Sequence, residues 1–232
     1  DDIPRMHAIA RSHSMWLHAD AAYGGFFRLA TGGPELMPDI EECDSITLDP
    51  HKGMFLPYGT GCLLVLRKDT LKRTHSMDAE YLHDVRAQTS PNFSDLSPEL
   101  SRDFRGLRIW LPLVLHGVAA FKAAIEEKLM LTRWAYDQLK DDPRFEILDE
   151  PQLSVIAFRL KADAADSDRL NEELMHRVNH RGRVFLSSTR LDGRYTIRLC
   201  VLSFRTHMDR VRDAVEALQA EAAEILAAPT RT

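Results

Sequence analysis

Two short stretches hold the side chains best suited to covalent and acid–base chemistry. Asp49-Pro50-His51-Lys52-Gly53 sets a primary amine beside an imidazole, and His18-Ala19-Asp20 sets a carboxylate two positions after another imidazole. The Lys52 amine can form a Schiff base with an aldehyde once it is neutral, and lysines lose their proton readily when partly buried or near other cations. A buried carboxylate such as Asp20 could hold a pyridine nitrogen protonated, because an opposite charge nearby favours the charged form. A ring protonated in that way is an electron sink, which is what an aldehyde cofactor offers. A second chemistry uses other members of the set. His18, Asp20, Asp49 and His51 form two His/Asp pairs able to present nitrogen and oxygen ligands, as in a metal-dependent hydrolase. That reading leaves Lys52 without a task. The motifs also have a plain structural reading: Asp-Pro-His-Lys by itself makes a solvated turn, and His51 can brace it.

The elements that must position these groups follow from spacing. Ile3, Met6, Ile9 and Ala10 recur at helical intervals, with Asp2 available as a cap and Pro4 in a first turn, so a short helix is expected over 2–14. Met15-Trp16-Leu17-His18-Ala19-Asp20 is an apolar run with its polar members at the far end, the pattern of a buried strand that delivers side chains at its C-terminal edge. Ala21-Ala22-Tyr23-Gly24-Gly25 breaks that strand with small residues that admit another group close to the backbone. Strands are expected over 43–48 and 61–66, on either side of the 49–53 turn, where Pro50 withholds an N–H from any ladder. Strand, motif, strand, motif, strand is the order of an α/β sheet that builds its site at strand ends.

Further along, residues 72–100 are polar, contain Pro91, Asn92 and Pro98, and lack a sustained period, so a mobile loop is expected. A long helix follows over 105–139, kinked at Pro112. The remainder reads as a small α/β unit with strands at 145–148, 153–160, 184–187 and 195–202 and helices at 167–180 and 207–226. The expected organisation is part of a large cofactor-binding domain over 1–120, then a connecting helix and small C-terminal domain over 121–232.

Composition narrows the classes. With 44% apolar residues and only 11 Gly and 11 Pro among 232, the chain can bury a sizeable core, so disorder and collagen-like repeats are poor readings. A net charge of -5 disfavours a nucleic-acid binder that works through a basic surface. Three Cys without paired spacing argue against a disulfide framework or zinc knuckle and for a reducing compartment, the cytoplasm. No window approaches about 20 consecutive apolar residues, so no membrane partner is expected. Asp1-Asp2-Ile3-Pro4 resembles no signal peptide and lacks an initiator Met, which points to a processed or trimmed start.

The motifs carry a resemblance as well. His18-Ala19-Asp20-Ala21-Ala22-Tyr23-Gly24 followed by Ser45-Ile46-Thr47-Leu48-Asp49-Pro50-His51-Lys52 is similar to the signature of the group II pyridoxal-phosphate-dependent decarboxylases, the aromatic-L-amino-acid and glutamate decarboxylase group. Ser101-Arg102-Asp103-Phe104-Arg105-Gly106-Leu107-Arg108-Ile109-Trp110 resembles the segment after that family's mobile loop, and Ile197-Arg198-Leu199-Cys200 is more weakly similar. The resemblance implies the C-terminal part of a fold-type I large domain, α/β with a mainly parallel sheet, plus a small C-terminal α/β domain. It implies pyridoxal 5'-phosphate (PLP) as cofactor and decarboxylation of an L-amino acid to the amine and CO2.

Carried over residue by residue, the resemblance makes Lys52 the Schiff-base lysine and Asp20 the partner of the pyridinium nitrogen. It packs Ala22 against one ring face and brings His51 and Asp49 near the phosphate. Many relatives have Asn at the place of Asp49, and a carboxylate beside phosphate is repulsive unless water or a cation intervenes. His18 would support cofactor or substrate. Tyr81, 29 positions after Lys52, falls where many family decarboxylases carry a loop tyrosine that protonates the carbanion left by CO2 loss. Tyr there favours simple decarboxylation over aldehyde-forming chemistry, although the residue also reads as an ordinary half-buried tyrosine. Arg102 and Arg105 divide between a site role and surface charge at a helix start. The implied partners are an amino-acid substrate, a second copy in a homodimer, and the N-terminal half of the same enzyme. The family's glycine-rich phosphate turn and ring-stacking residue lie upstream of the Asp motif. A non-catalytic relative used as an interaction subunit is the remaining alternative.

Overall fold

The computed structural model describes residues 1–76 and 92–228; Tyr81 and most of the expected loop lie outside them. Asp2 opens helix α1 (Ile3–Ser12): its Oδ1 accepts from the Arg5 N–H at 3.0 Å, and Pro4 sits in the first turn, where a missing N–H costs nothing. Strand β1 (His18–Asp20) pairs in parallel with β2 (Ser45–Leu48), with His18 opposite Ser45 and Asp20 opposite Thr47. A single helical turn, α2 (Pro50–Gly53), follows β2. Strand β3 (Cys62–Val65) then returns antiparallel to β2, giving the order β1-β2-β3. The expected buried strand over 15–20 is shorter and more open than its composition suggests. β1 stands at the sheet's edge, and both His18 and Asp20 are exposed. Ala21, Ile40 and Cys43 form the buried cluster behind it, with Leu17, Ile46 and Leu48 packed on.

Helix α3 (Asp69–His75) occupies the start of the stretch expected as loop. Helix α4 (Leu107–Lys140) is broken, but at Gly117 rather than at Pro112. Gly117 has φ 72 and ψ 159, a conformation that glycine alone enters cheaply, while the helix accommodates Pro112 within its first two turns. By length and composition α4 could cross a bilayer, which the sequence reading does not expect. Its second part instead buries Leu131, Ala135, Tyr136 and Leu139 in a protein core.

The described chain falls into two compact units, Asp1–Arg28 with Gly32–Val118, and Leu29–Thr31 with Ala119–Thr232. The second contains β4 (Phe145–Ile147), β5 (Val155–Leu160), helix α5 (Ser167–His180), β6 (Ser187–Leu191), β7 (Arg194–Cys200) and helix α6 (Met208–Ala227). Its sheet is antiparallel in the order β4-β5-β7-β6. Phe158, Leu160, Leu174, Ile197 and Leu218 fill the core, where Phe145 meets Phe158 edge to face at 5.8 Å. β6 starts three residues later than expected because Asn179 of α5 claims Leu186: its Oδ1 accepts the Leu186 N–H at 2.7 Å and its Nδ2 donates to the carbonyl at 2.9 Å. The β6–β7 turn is Asp192-Gly193, with φ 50 and 75, the backbone of a tight two-residue hairpin.

Asp142 and Arg144 tie the start of β4 to α6. Asp142 accepts from Arg144 Nε at 2.8 Å and from its terminal guanidinium nitrogen at 2.5 Å, and Arg144 donates to the Gln219 carbonyl at 2.7 Å. The Arg144 side-chain hydrogen bond is the chief reason that the Asp142 carboxyl lies below the usual carboxylate range, against the opposing cost of burial. A carboxylate with a lowered folded-state value stabilises above the ordinary range, near pH 4, and loses that contribution as pH falls through its folded value. Asp142→Ala is therefore expected to cost about 1.5–3 kcal/mol at pH 7. In urea unfolding, the gap from the wild-type protein should narrow as the pH falls below about 4.

Candidate active site

Parallel pairing brings the C-terminal ends of β1 and β2 side by side, and the residues just past each end form one cluster. Asp20, the last residue of β1, accepts the Ala22 N–H at 3.1 Å. Such an Asx turn lets the chain leave the sheet, and Ala21 is held meanwhile by its N–H to the Thr47 carbonyl at 3.0 Å. Ala21 is buried and Ala22 half-buried. After β2, Asp49 leads into α2, where its carbonyl receives the Lys52 N–H at 2.8 Å and the Gly53 N–H at 3.2 Å. Gly53 permits a close approach there: an added Cβ would stand 2.8 Å from Cβ of Phe26, so something would have to shift. Gly25 lies close to the neighbouring strand end, its added Cβ 2.1 Å from Cδ2 of Leu48.

One turn of helix puts Asp49 and Lys52 on the same side. Lys52 Nζ lies 2.7 Å from Asp49 Oδ2, and His51 Nε2 lies 3.7 Å from the same oxygen. The Asp49 hydrogen bond is the main cause that holds the Lys52 ammonium above the usual lysine value. Partial desolvation opposes it, and the charges of Asp49, Asp20 and Tyr58 add to it. The expectation of an easily lost proton is thereby corrected: the groups around Lys52 are carboxylates and a phenol rather than cations, and the side chain is 40% exposed. Asp20 and Lys52 do come within electrostatic reach of one another.

His51 is fixed from behind. Its Nδ1 lies 2.9 Å from the Thr60 carbonyl, and since a carbonyl only accepts, the geometry assigns the proton to Nδ1 and leaves Nε2 facing the cluster. The Tyr58 ring covers His51 at 4.7 Å and is 87% exposed. Buried Thr60 donates its hydroxyl to the Pro57 carbonyl at 2.9 Å, closing the loop that carries Tyr58. The sequence reading does not single out Tyr58 or Thr60. Their signal is the Tyr58-Gly59-Thr60-Gly61 run just after the lysine turn, and Gly59 adopts φ 80.

His18 faces β2 instead of the amine. Its Nδ1 is 2.7 Å from Ser45 Oγ and its Nε2 3.2 Å from Thr47 Oγ1, while Trp16 Nε1 donates to Ser45 Oγ at 2.8 Å. His18 thus staples the two parallel strands. With His18 so engaged and Asp49 on Lys52, the metal-hydrolase alternative has no ligand cluster: among the described residues no three His, Cys, Asp or Glu side chains could hold an ion together. Arg105 pairs with Glu99 at 3.0 Å and Asp103 at 3.0 Å, and Arg102 donates to the Phe93 carbonyl.

The cluster is thus an amine and a carboxylate at adjacent strand ends, with a second carboxylate on the amine and a one-sided imidazole beside them. The model of the pyridoxal-dependent decarboxylase conserved domain matches residues 1–161. The chain belongs to the pyridoxal-dependent decarboxylase family. The aromatic-L-amino-acid decarboxylase of Bacillus atrophaeus is 34% identical over 231 residues, 97% of this chain and 48% of that protein. Among solved structures, Catharanthus roseus tryptophan decarboxylase in complex with L-tryptophan is 28% identical with a TM-score of 0.85, covering 94% of this chain and 45% of that one. Oryza sativa TDC with PLP and tryptamine is 27% identical with a TM-score of 0.86, covering 94% and 46%. The chain spans about half the length of the relatives it matches.

In this family member the lysine turn depends on the contact between Gly53 and Phe26. Gly53→Ala should overpack it, lowering stability by about 1–3 kcal/mol. A drop in the urea midpoint, followed by tryptophan fluorescence, would check this; an unchanged midpoint would mean that Phe26 yields freely.

Proposed function

We propose that this chain carries the lysine-bearing part of a PLP-dependent decarboxylase that converts an L-amino acid to its amine and CO2. The carrying observation is the placement of Asp20 and Lys52 at the carboxyl ends of adjacent parallel strands, in a member of the pyridoxal-dependent decarboxylase family. Aromatic L-amino acids are the proposed substrate class, supported by the aromatic-L-amino-acid and tryptophan decarboxylases among its relatives. The activity is proposed for the assembled protein, since the chain spans about half of those relatives.

The side chains present fit the cofactor at both ends of its ring. Lys52 offers a primary amine for the aldehyde. Asp20 offers an exposed carboxylate within electrostatic reach of that amine for the ring nitrogen. Ala22 is small enough to leave room for a ring face, and His51, whose Nδ1–H is spent on Thr60, can donate to a phosphate oxygen through Nε2 only as the imidazolium. Asp49 does not fit beside phosphate, where two negative groups repel, and it has the Lys52 ammonium as its own partner. When bound, PLP supplies a sink for the electron pair left as a carboxylate departs as CO2.

The chain's residues do the rest. Lys52 gives up its ammonium proton before its nitrogen can bond to carbon. The Asp20 carboxylate would hold a positive charge opposite it. His18 holds β1 to β2, so the Asp20–Lys52 spacing survives substrate exchange. Tyr81, outside the described residues, is assigned the return of a proton to the substrate Cα. A homodimer and a cytoplasmic location belong to the same reading, supported by the exposed apolar side chains of α4 from Leu107 to Val118 and by three free thiols.

Incubation with PLP followed by hydride reduction should leave a stable adduct on the peptide that contains Lys52. Lys52→Ala should lose both adduct and decarboxylation. Tyr81→Phe should keep the adduct and slow amine release by about 10²–10⁴, the usual worth of a general acid, or divert it to aldehyde. Unchanged rate and product in Tyr81→Phe would remove that residue from the mechanism.

A further inference from the structure

We propose that Asp49 is the positioning residue of Lys52: its carboxylate holds the amine in the strand-end turn and competes for it with the cofactor's aldehyde. The proposal rests on the functional reading above and adds to it the control of cofactor capture.

The geometry carries it. Asp49 Oδ2 and Lys52 Nζ are 2.7 Å apart, at the short end for a charge-assisted hydrogen bond. The side chain of Asp49 is 17% exposed and that of Lys52 40%, so the carboxylate is the inner, better-anchored partner and the amine the outer one. Asp49 occupies the cap position of α2, yet its side chain makes no capping bond there. The carboxylate is left to Lys52 and, at 3.7 Å, to His51 Nε2, with Gly61 open beside Oδ1, where an added Cβ would lie 3.8 Å away.

The surroundings reinforce the pairing. Lys52 is faced by Asp49 from its own turn, Asp20 from the end of β1 and Tyr58 from the following loop, with His51 beside it in sequence. The charged form of the amine is favoured by this set, in which the Asp49 hydrogen bond comes first. An amine attacks a carbonyl only through its lone pair, so one proton must pass from Nζ to solvent before Lys52 reacts. Asp49 opposes that loss while keeping Nζ where the reaction will need it.

The test is competitive acetylation with isotopically labelled acetic anhydride between pH 7 and pH 11, on the protein at its natural length with cofactor removed. Mass spectrometry reads the Lys52 peptide against that of Lys122, which pairs with Glu126 on α4 and serves as an internal reference. In Asp49→Asn, Lys52 should acetylate about tenfold faster at pH 8 than in the wild-type protein, the one-unit displacement at the low end for loss of an adjacent opposite charge. Lys122 should react alike in both. Asp49→Glu, which keeps the charge, should restore most of the wild-type profile, an outcome a purely structural role would not give. Superimposable Lys52 profiles in the wild-type and Asn proteins, or identical profiles in the Asn and Glu variants, would overturn the proposal. So would a wild-type Lys52 that titrates at or below Lys122, a comparison that needs no variant to fold. PLP followed by hydride reduction on the same samples separates the two levels. Absence of an adduct at Lys52 would sink the functional reading, while the acetylation profiles would still decide the role of Asp49.

Discussion

The parallel register of β1 on β2 is the constraint on which the site depends. Asp20 stands opposite Thr47, so the chain leaves both strands at the same level, and the residues just past the two strand ends share one small volume. A slip of one residue would turn Asp20 to the other face of the sheet, because side chains alternate along a strand. Two features resist that slip. His18 is hydrogen-bonded to Ser45 and Thr47 of the partner strand, and the Ala21 N–H extends the ladder one step past the end of β1 onto the Thr47 carbonyl.

A contrast between the two units arises from how each buries its apolar residues. In the second, α5, α6 and the latter part of α4 cover a four-stranded sheet, and the side chains of Phe158, Leu174, Ile197 and Leu218 are wholly enclosed. In the first, the buried cluster is small, and Leu63, Leu64 and Leu66 in and beside β3, with Trp110, Val114 and Leu115 on α4, are largely exposed. These exposed apolar side chains group on one strand and one helix. The amine–carboxylate cluster lies in the unit with the smaller buried core, and hydrogen bonds and close glycine contacts position it.

Periodicity makes the helices legible. Helix α5 falls on the expected 167–180, and α1 begins at its Asp2 cap. Strand ends are harder to read, because local hydrogen bonds decide them: Asn179 delays β6 by taking both backbone groups of Leu186. In α4, Pro112 is the more conspicuous helix breaker, yet a proline near a helix start loses little, whereas a glycine at positive φ ends the hydrogen-bond ladder. At the site, residue types and order single out Lys52, Asp20 and His51 as candidates, while Ala22 enters only through the family resemblance. They do not reveal the partnership of Asp49 with Lys52, since reading 49–53 as an open turn hides the helical geometry that brings positions three apart face to face.

The bond from His51 to Thr60 gives the imidazole a direction. With Nδ1 committed to a buried backbone carbonyl, the ring cannot turn over without stranding that oxygen, so it meets solvent, ligand or a second proton through one nitrogen only. Tyr58 lies across the same ring and limits the approach from that side. Chemistry at His51 is therefore vectorial: whatever this imidazole binds or hands on must pass along the single line from Nε2 toward the lysine turn.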